Sequence, residues 1–127
     1  MPLTTTLTSD ATTVTTQEAP TIKQGDAIWL PVTLYFNGAA FDASTVILLD
    51  TIEYSLTPCC VRQIDAGEAW NSALGMFLLP IQQADTLHLC PGYHDFDVRA
   101  KFHGGGVLGV RQKARIMILD ANSREVI

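Results

Sequence analysis

A strict alternation of apolar and other residues over residues 27–36 constrains the fold of this chain most. In the stretch AIWLPVTLYF, large apolar side chains occupy every second position: Ile28, Leu30, Val32, Leu34 and Phe36. Successive side chains of a β-strand point to opposite sides of a sheet, so this period of two predicts a strand with one buried face. Pro31 lies on the outward set and has no N–H to donate, which predicts an edge strand or a bulge.

The same rhythm returns along the rest of the chain. Strand-like runs occupy residues 45–56, 61–64, 74–81, 93–102 and 107–120, and turn signals separate them. Asn37-Gly38 directly follows the first run and predicts a tight hairpin. The chain shows no long amphipathic helix pattern, and at most one short helical turn is expected, near residues 82–89. Short strands at this spacing predict an all-β fold, an antiparallel sandwich or barrel of about seven strands.

Length and composition predict a single domain, preceded by an N-terminal arm. The chain has 127 residues, of which 47% are hydrophobic and 17% charged, which is typical of one packed domain. Residues 1–18 are rich in threonine and poor in large apolar groups, so they predict a flexible arm before a single β-sandwich domain over 19–127. Such an arm can also add as a strand to the exposed edge of a neighbouring sheet.

Charge and targeting signals limit the partners. A net charge of −5 disfavours binding to nucleic acid, and the alternating Arg111, Lys113 and Arg115 indicate a solvated strand face. The sequence contains no run of about eighteen apolar residues, so we expect no membrane-spanning helix. The N-terminus has no pattern of a secretory signal. Three cysteines do not resemble a disulfide framework, so we expect reduced thiols in a protein made in the cytoplasm.

The stretch HLCPGYHDFDV, residues 88–98, contains the strongest candidate ligands for a metal. Its spacing, His88-x-Cys90-x₃-His94, matches no usual zinc pattern. Strand alternation over residues 93–102 places Asp95 and Asp97 on the face opposite His94. We therefore expect His94 to be a partly buried residue at a strand start. The aspartates are expected to pair with Arg99 and Lys101, or with a neighbouring strand.

No catalytic motif was found in the chain. Cys59 and Cys90 lack any base fixed beside them by the sequence, and the Gly104–Gly106 run lacks the spacing of a phosphate-binding loop. A hairpin connection explains the glycine run. We therefore predict a protein that is not an enzyme and has no cofactor.

The order of short motifs resembles a known family. Gly25-Asp26 precedes the first long strand, Asn37-Gly38 and Phe41-Asp42 follow it, and Pro91-Gly92-Tyr93 leads into the strand that contains Asp95-Phe96-Asp97-Val98-Arg99. This order is similar to the immunoglobulin-like N-terminal domain of phage baseplate upper proteins and of related small prophage tail proteins, over residues 23–120. Tyr93 follows Gly92 directly and Ala43-Ser44 replaces the "LTG" of the family pattern.

The resemblance implies an immunoglobulin-like sandwich that is a virion component and binds other virion proteins, with self-association left open. It also implies synthesis in the host cytoplasm before incorporation into the virion. Tyr93 could send its hydroxyl back to the backbone as a tyrosine corner, or simply follow an ordinary turn.

Trp29 and Tyr35 are the candidate interaction residues, because both rings lie on the outward face of the first strand. They could equally pack beneath the N-terminal arm.

Two further functions remain open at this point. A carbohydrate- or ligand-binding sandwich would use Trp29, Tyr35 and Trp70 as stacking platforms, together with loop carboxylates. A metal-dependent enzyme, the least favoured reading, would be built around His88, Cys90, His94 and His103.

Overall fold

Strands make up most of the described chain, and they form two curled sheets. The computed structural model describes residues 3–7 (backbone only), 20–36, 39–56, 61–110, 113–123 and 125–127. The strands in these ranges are β1 Leu3–Leu7, β2 Thr21–Lys23, β3 Ile28–Phe36, β4 Ala39–Ala40, β5 Leu49–Leu56, β6 Val61–Asp65, β7 Trp70–Asn71, β8 Met76–Ile81, β9 Gly92–Phe102, β10 Val107–Gly109 and β11 Ala114–Leu119. The helices are α1 Ala43–Val46, α2 Ala66–Ala69 and α3 Gln83–Leu87.

The two sheets differ in strand order. The first sheet has the order β1-β3-β8-β7, with β4 also paired to β3. The second has the order β2-β11-β9-β5-β6, with β10 also paired to β9. Most pairs are antiparallel, but β1 runs parallel to β3 and β2 runs parallel to β11. The all-β prediction is therefore confirmed at the level of class, and the two parallel pairs depart from a purely antiparallel arrangement.

One core lies between the inner faces of the two sheets. The alternation in β3 is confirmed, since Leu30, Val32 and Leu34 are buried while Trp29 is exposed. Phe77 of the first sheet and Phe96 of the second are both fully buried in the same cluster. Burial of apolar side chains from both sheets at roughly 25 cal/mol per Å² is the main force that holds them together.

The edge prediction made from Pro31 needs a correction. β3 has β8 on one side and β1 on the other, so it is not an edge strand. However, β1 pairs only with residues 32–36, and its first register pair joins Leu3 to Val32. Among the described residues, Pro31 therefore lies on β3 just before the flanking strand begins, where its missing N–H is tolerated.

The residues on either side of the predicted Asn37-Gly38 hairpin turn pair as that turn requires. Asn37 and Gly38 lie outside the described residues. Phe36 pairs with Ala39 and Tyr35 with Ala40, both antiparallel, as a two-residue hairpin requires.

The prediction of at most one helical turn is wrong, because the described chain has three short helices. α3 is the predicted turn near residues 82–89. α1 forms where we predicted the start of a strand: the Asp42 carboxylate accepts from the backbone of Ser44 and Thr45, and Thr45 Oγ1 accepts from the Asp42 N–H. This capping box stabilises a helical turn despite the β-branched residues, so the predicted strand over residues 45–56 begins only at Leu49.

The predicted N-terminal arm contains a strand. Leu3–Leu7 forms β1 beside β3, in keeping with the strand preference of threonine. Residues 8–18 of the arm lie outside the described residues, so their flexibility stays a prediction.

The last predicted strand, over residues 107–120, is divided in two. β10 and β11 pair with the same side of β9, from Val107 to Gly109 and from Ala114 onward, and residues 111 and 112 between them lie outside the described residues. The glycine run is a hairpin connection as predicted: Phe102 donates to the Gly106 carbonyl at 2.8 Å, and Gly105 has a φ of 92°.

Candidate functional site

The stretch over residues 88–98 forms a turn that enters a strand. His88 follows the last residue of α3 and is exposed, and Cys90 is an exposed free thiol. Gly92 has a φ of 124°, which a residue with a side chain rarely adopts, and the chain reverses there into β9. His94 is half-buried at the start of β9, as predicted.

His94 and Cys90 do come together, but through the backbone. The Nε2–H of His94 donates to the carbonyl oxygen of Cys90 at 2.6 Å. In the described residues, no three His, Cys, Asp or Glu side chains lie close enough to hold a metal ion. His103 is exposed in the loop between β9 and β10, and its backbone N–H donates to the Leu48 carbonyl.

The outward face of the first sheet is apolar where β3 meets β8. Trp29 lies opposite Pro80, and Pro31 lies opposite Leu78. The Trp29 side chain is 59% exposed, and the other three residues are half-buried. We call these four residues the Trp29 face. Its members carry no charge, although the protein has a net charge of −5, so a partner could cover it without burying an ion.

Tyr35 lies on the same outward face but at the other end of β3. It lies six positions along the strand from Trp29, and at about 3.3 Å per residue the two positions are roughly 20 Å apart. Tyr35 is half-buried, with Thr6 of β1 and Ala40 of β4 as its register partners. The two predicted interaction residues therefore share a face without forming one cluster.

Trp70 does not join them. Its ring meets Phe77 edge to face, with centroids 5.1 Å apart, and it packs against the core. A buried, unpaired indole N–H and a core contact are a poor platform for a sugar ring, so the three aromatics of the carbohydrate hypothesis are not brought together.

The outward face of the second sheet is polar. Arg99 of β9 donates to the Glu53 carboxylate of β5 at 2.7 Å, and the Gln63 amide of β6 reaches the same carboxylate. The hydrogen bond from Arg99 holds the pKa of Glu53 below its usual value, and the carboxylate in turn raises the pKa of Arg99. The groove around this pair is lined by Thr51, Glu53, Gln63, Arg99, Lys101 and Val107.

Of the charged side chains of β9, Arg99 forms an ion pair across strands, with Glu53 of β5. Asp95 is exposed and Asp97 half-buried, on the face opposite His94 as predicted. Arg99 pairs with a neighbouring strand and not with either aspartate. Because the pair is exposed and screened by water, it is expected to contribute little to stability.

The tyrosine with a hydroxyl bond to the backbone is Tyr54, and not Tyr93. Tyr93 is 55% exposed, and the Arg115 guanidinium lies 4.4 Å from its ring centroid. Tyr54 extends from β5 across the core, and its hydroxyl donates to the Pro80 carbonyl of β8 at 2.5 Å. Burial raises the pKa of Tyr54 to about 12. Of the two alternatives left open for Tyr93, the ordinary turn fits the structure, because Tyr93 lies on the outward face of its strand.

Sequence reasoning missed a second contact between elements, the ion pair of Arg62 and Asp85. Arg62 Nε donates to Asp85 Oδ2 at 2.6 Å, and the same oxygen accepts from the Gln82 N–H at 2.8 Å. Arg62 occupies an inward position of β6, where an arginine requires an acidic partner. That requirement was visible in the sequence, but the identity of the partner was not.

Together these features define the class of protein: a β-rich domain with two sheets, an apolar patch on one outward face and a neutralised polar patch on the other. The chain matches no protein-family model and no curated protein sequence. None of the described helices is both long and apolar enough to cross a membrane.

Proposed function

We propose that this protein is a non-enzymatic structural module that assembles through protein–protein contacts, and that its two sheets are those of an immunoglobulin-like sandwich. The short motifs that resemble phage baseplate upper proteins support a tail or baseplate component, made in the host cytoplasm and incorporated into the virion. β2 and β11 come first and last along the chain among the strands of the second sheet, and they run parallel as neighbours. This arrangement is expected of such a sandwich.

The Trp29 face is the observation that carries this proposal. Trp29 is 59% exposed beside two prolines and a leucine, and it is not part of the hydrophobic core. Contact of such an apolar patch with water is unfavourable unless a partner covers it. Tryptophan is among the residues that most often dominate binding energy at protein interfaces. Pro31 and Pro80 also keep this patch rigid, so little conformational entropy is lost when it is covered.

The test compares two exposed aromatic residues on opposite sheets. Trp29→Ala should weaken binding at least tenfold, because a buried interface tryptophan contributes about 2 kcal/mol or more. Tyr93→Ala is the matched control, since Tyr93 is 55% exposed but lies on the second sheet. Affinity for each protein encoded by the neighbouring genes, and for the chain itself, is measured by sedimentation and calorimetry.

Thermal unfolding of the same variants separates binding from folding. The Trp29→Ala change, alone or with Tyr35→Ala, should leave the melting temperature nearly unchanged while binding falls. Unchanged affinity together with a large drop in melting temperature would mean that these rings stabilise the fold and bind nothing.

Carbohydrate binding is the weaker alternative. Trp29 alone offers an open ring, because Trp70 is packed on Phe77 and Tyr35 is roughly 20 Å away along the strand. A glycan array in which Trp29→Ala abolishes a specific signal would favour this alternative over assembly.

A further inference from the structure

The edge of β3 that receives β1 is a short site with a fixed start. β1 pairs in parallel with residues 32–36, from Leu3 opposite Val32 to Leu7 opposite Phe36. Pro31, immediately before this segment, has no N–H to offer an added strand. A strand placed along this edge therefore gains regular pairing only from Val32 onward. We call residues 32–36 the acceptor edge.

β1 is joined to the rest of the molecule by a long connection. Among the described residues, its strand partner is β3 alone. Twelve residues, 8–19, separate Leu7 from Pro20, which precedes β2 on the other sheet. A chain of that length can span roughly 40 Å when extended, enough to reach an adjacent copy.

We propose that β1 is exchanged between copies of this chain, so that β1 of one copy pairs with the acceptor edge of a second. Both strands of the pair come from the same sequence, so the exchanged and unexchanged forms make the same β1–β3 pairs. Only the connection over residues 8–19 distinguishes them, which is the usual condition for domain swapping. β2 stays on its own body, beside β11.

Concentration decides which form prevails. A connection of this length gives β1 an effective concentration of about millimolar for its own acceptor edge. Exchange therefore becomes competitive when copies are crowded at that level, as subunits of an assembly are. It would give the proposed structural module a way to link like subunits, through a contact separate from the Trp29 face.

Single cysteines placed at one register pair provide the test. In a background with Cys59, Cys60 and Cys90 replaced by serine, one chain carries Thr4→Cys and a second, mass-tagged chain carries Thr33→Cys. Thr4 and Thr33 are register partners, and adjacent strands place Cα atoms within the range that a disulfide bridges. The two chains are mixed, unfolded, refolded together at high concentration and oxidised.

A disulfide-linked heterodimer of these two variants, increasing with protein concentration, is the expected result. The matched control mixes Thr21→Cys with Met117→Cys, the register pair of β2 and β11, and should give no heterodimer. Absence of the first heterodimer, or equal amounts in both mixtures, would overturn the exchange.

A chain carrying both Thr4→Cys and Thr33→Cys checks the pairing itself. It should form a disulfide within one chain at low concentration and between chains at high concentration. If it forms neither, β1 does not occupy the acceptor edge and the inference fails. The proposed function is tested separately, because Trp29→Ala leaves the acceptor edge intact.

Discussion

The ion pair between Arg62 and Asp85 joins the edge strand β6 to α3. The Asp85 side chain is only 7% exposed, whereas that of Arg62 is 31% exposed. Removal of the arginine would leave a carboxylate that is almost buried without its counter-charge, which is costly in a poorly hydrated site.

We expect Arg62→Met to lower the free energy of unfolding by about 2 kcal/mol, less than for a fully buried pair because Arg62 is partly hydrated. Arg62→Met combined with Asp85→Asn should recover part of this loss, since the neutral amide keeps an acceptor for the Gln82 N–H. Urea unfolding measures both variants. Arg115→Met, at an exposed arginine, is the control. An equal decrease in the free energy of unfolding for Arg115→Met would show that the loss at Arg62 does not come from leaving the Asp85 carboxylate unpaired.

Tyr54 links the two sheets through a single hydroxyl. We expect Tyr54→Phe to lower the free energy of unfolding by about 1 kcal/mol, through loss of the bond to the Pro80 carbonyl.

The raised pKa of Tyr54 also predicts a pH dependence. The folded protein keeps the phenol of Tyr54 neutral up to a pKa of about 12, whereas in the unfolded chain the phenol ionises at its ordinary pKa of about 10. The contribution of this group is therefore complete below pH 10 and is lost as the pH rises toward 12. Unfolding titrations of wild type and Tyr54→Phe should converge over that interval, and parallel curves would exclude this linkage.

Gly92 matters at the scale of an element, because it sets the entry into β9. Its φ of 124° lies where side chains are strained, yet no atom stands within 4 Å of the position that a Cβ would take. We therefore expect Gly92→Ala to cost about 1–3 kcal/mol from backbone strain alone. Gly104→Ala, which has neither a positive φ nor a close neighbour, should be nearly neutral in the same denaturation assay.

How far the elements could be predicted depends on the range of the interactions that form them. The alternation around Leu30 and Phe96 identified both strands and their buried faces, because the period of two is local. α1 was missed because the Asp42–Thr45 capping box outweighed the strand preference of Thr45 and Val46, although both cap residues were visible.

Strand pairing and the candidate site were less accessible from the sequence. The parallel pairs of β1 with β3 and β2 with β11 join residues far apart along the chain, and no local signal specifies them. The exposure of Trp29 followed from alternation. Its neighbours Leu78 and Pro80 could be assigned to the same patch only once β8 was known to lie beside β3.

At the scale of the whole molecule, β1 protects the edge of the first sheet. Deletion of residues 1–7 should leave the acceptor edge unpaired, and unpaired edges promote association with other strands. We expect the truncated protein to be less stable and to form disordered aggregates, as light scattering would show. The truncated protein with Thr33→Lys should aggregate less, because an outward-facing charge on an edge disfavours pairing; equal aggregation would mean that another surface is responsible.

The parallel pairing of β2 with β11 has a mechanical consequence. β2 follows Pro20, β11 is the last strand of the described chain, and the two point in the same direction, so tension applied at Pro20 and at the C-terminal residues would pull them past one another lengthwise. Their ladder bonds would then be strained together and not opened one after another. Gln24 adds a further connection where β2 and β11 end. Its side chain accepts a hydrogen bond from the Ala121 N–H and donates one to the Leu89 carbonyl. Two strands joined in this way would resist stretching more strongly than a pair whose ladder bonds open one at a time.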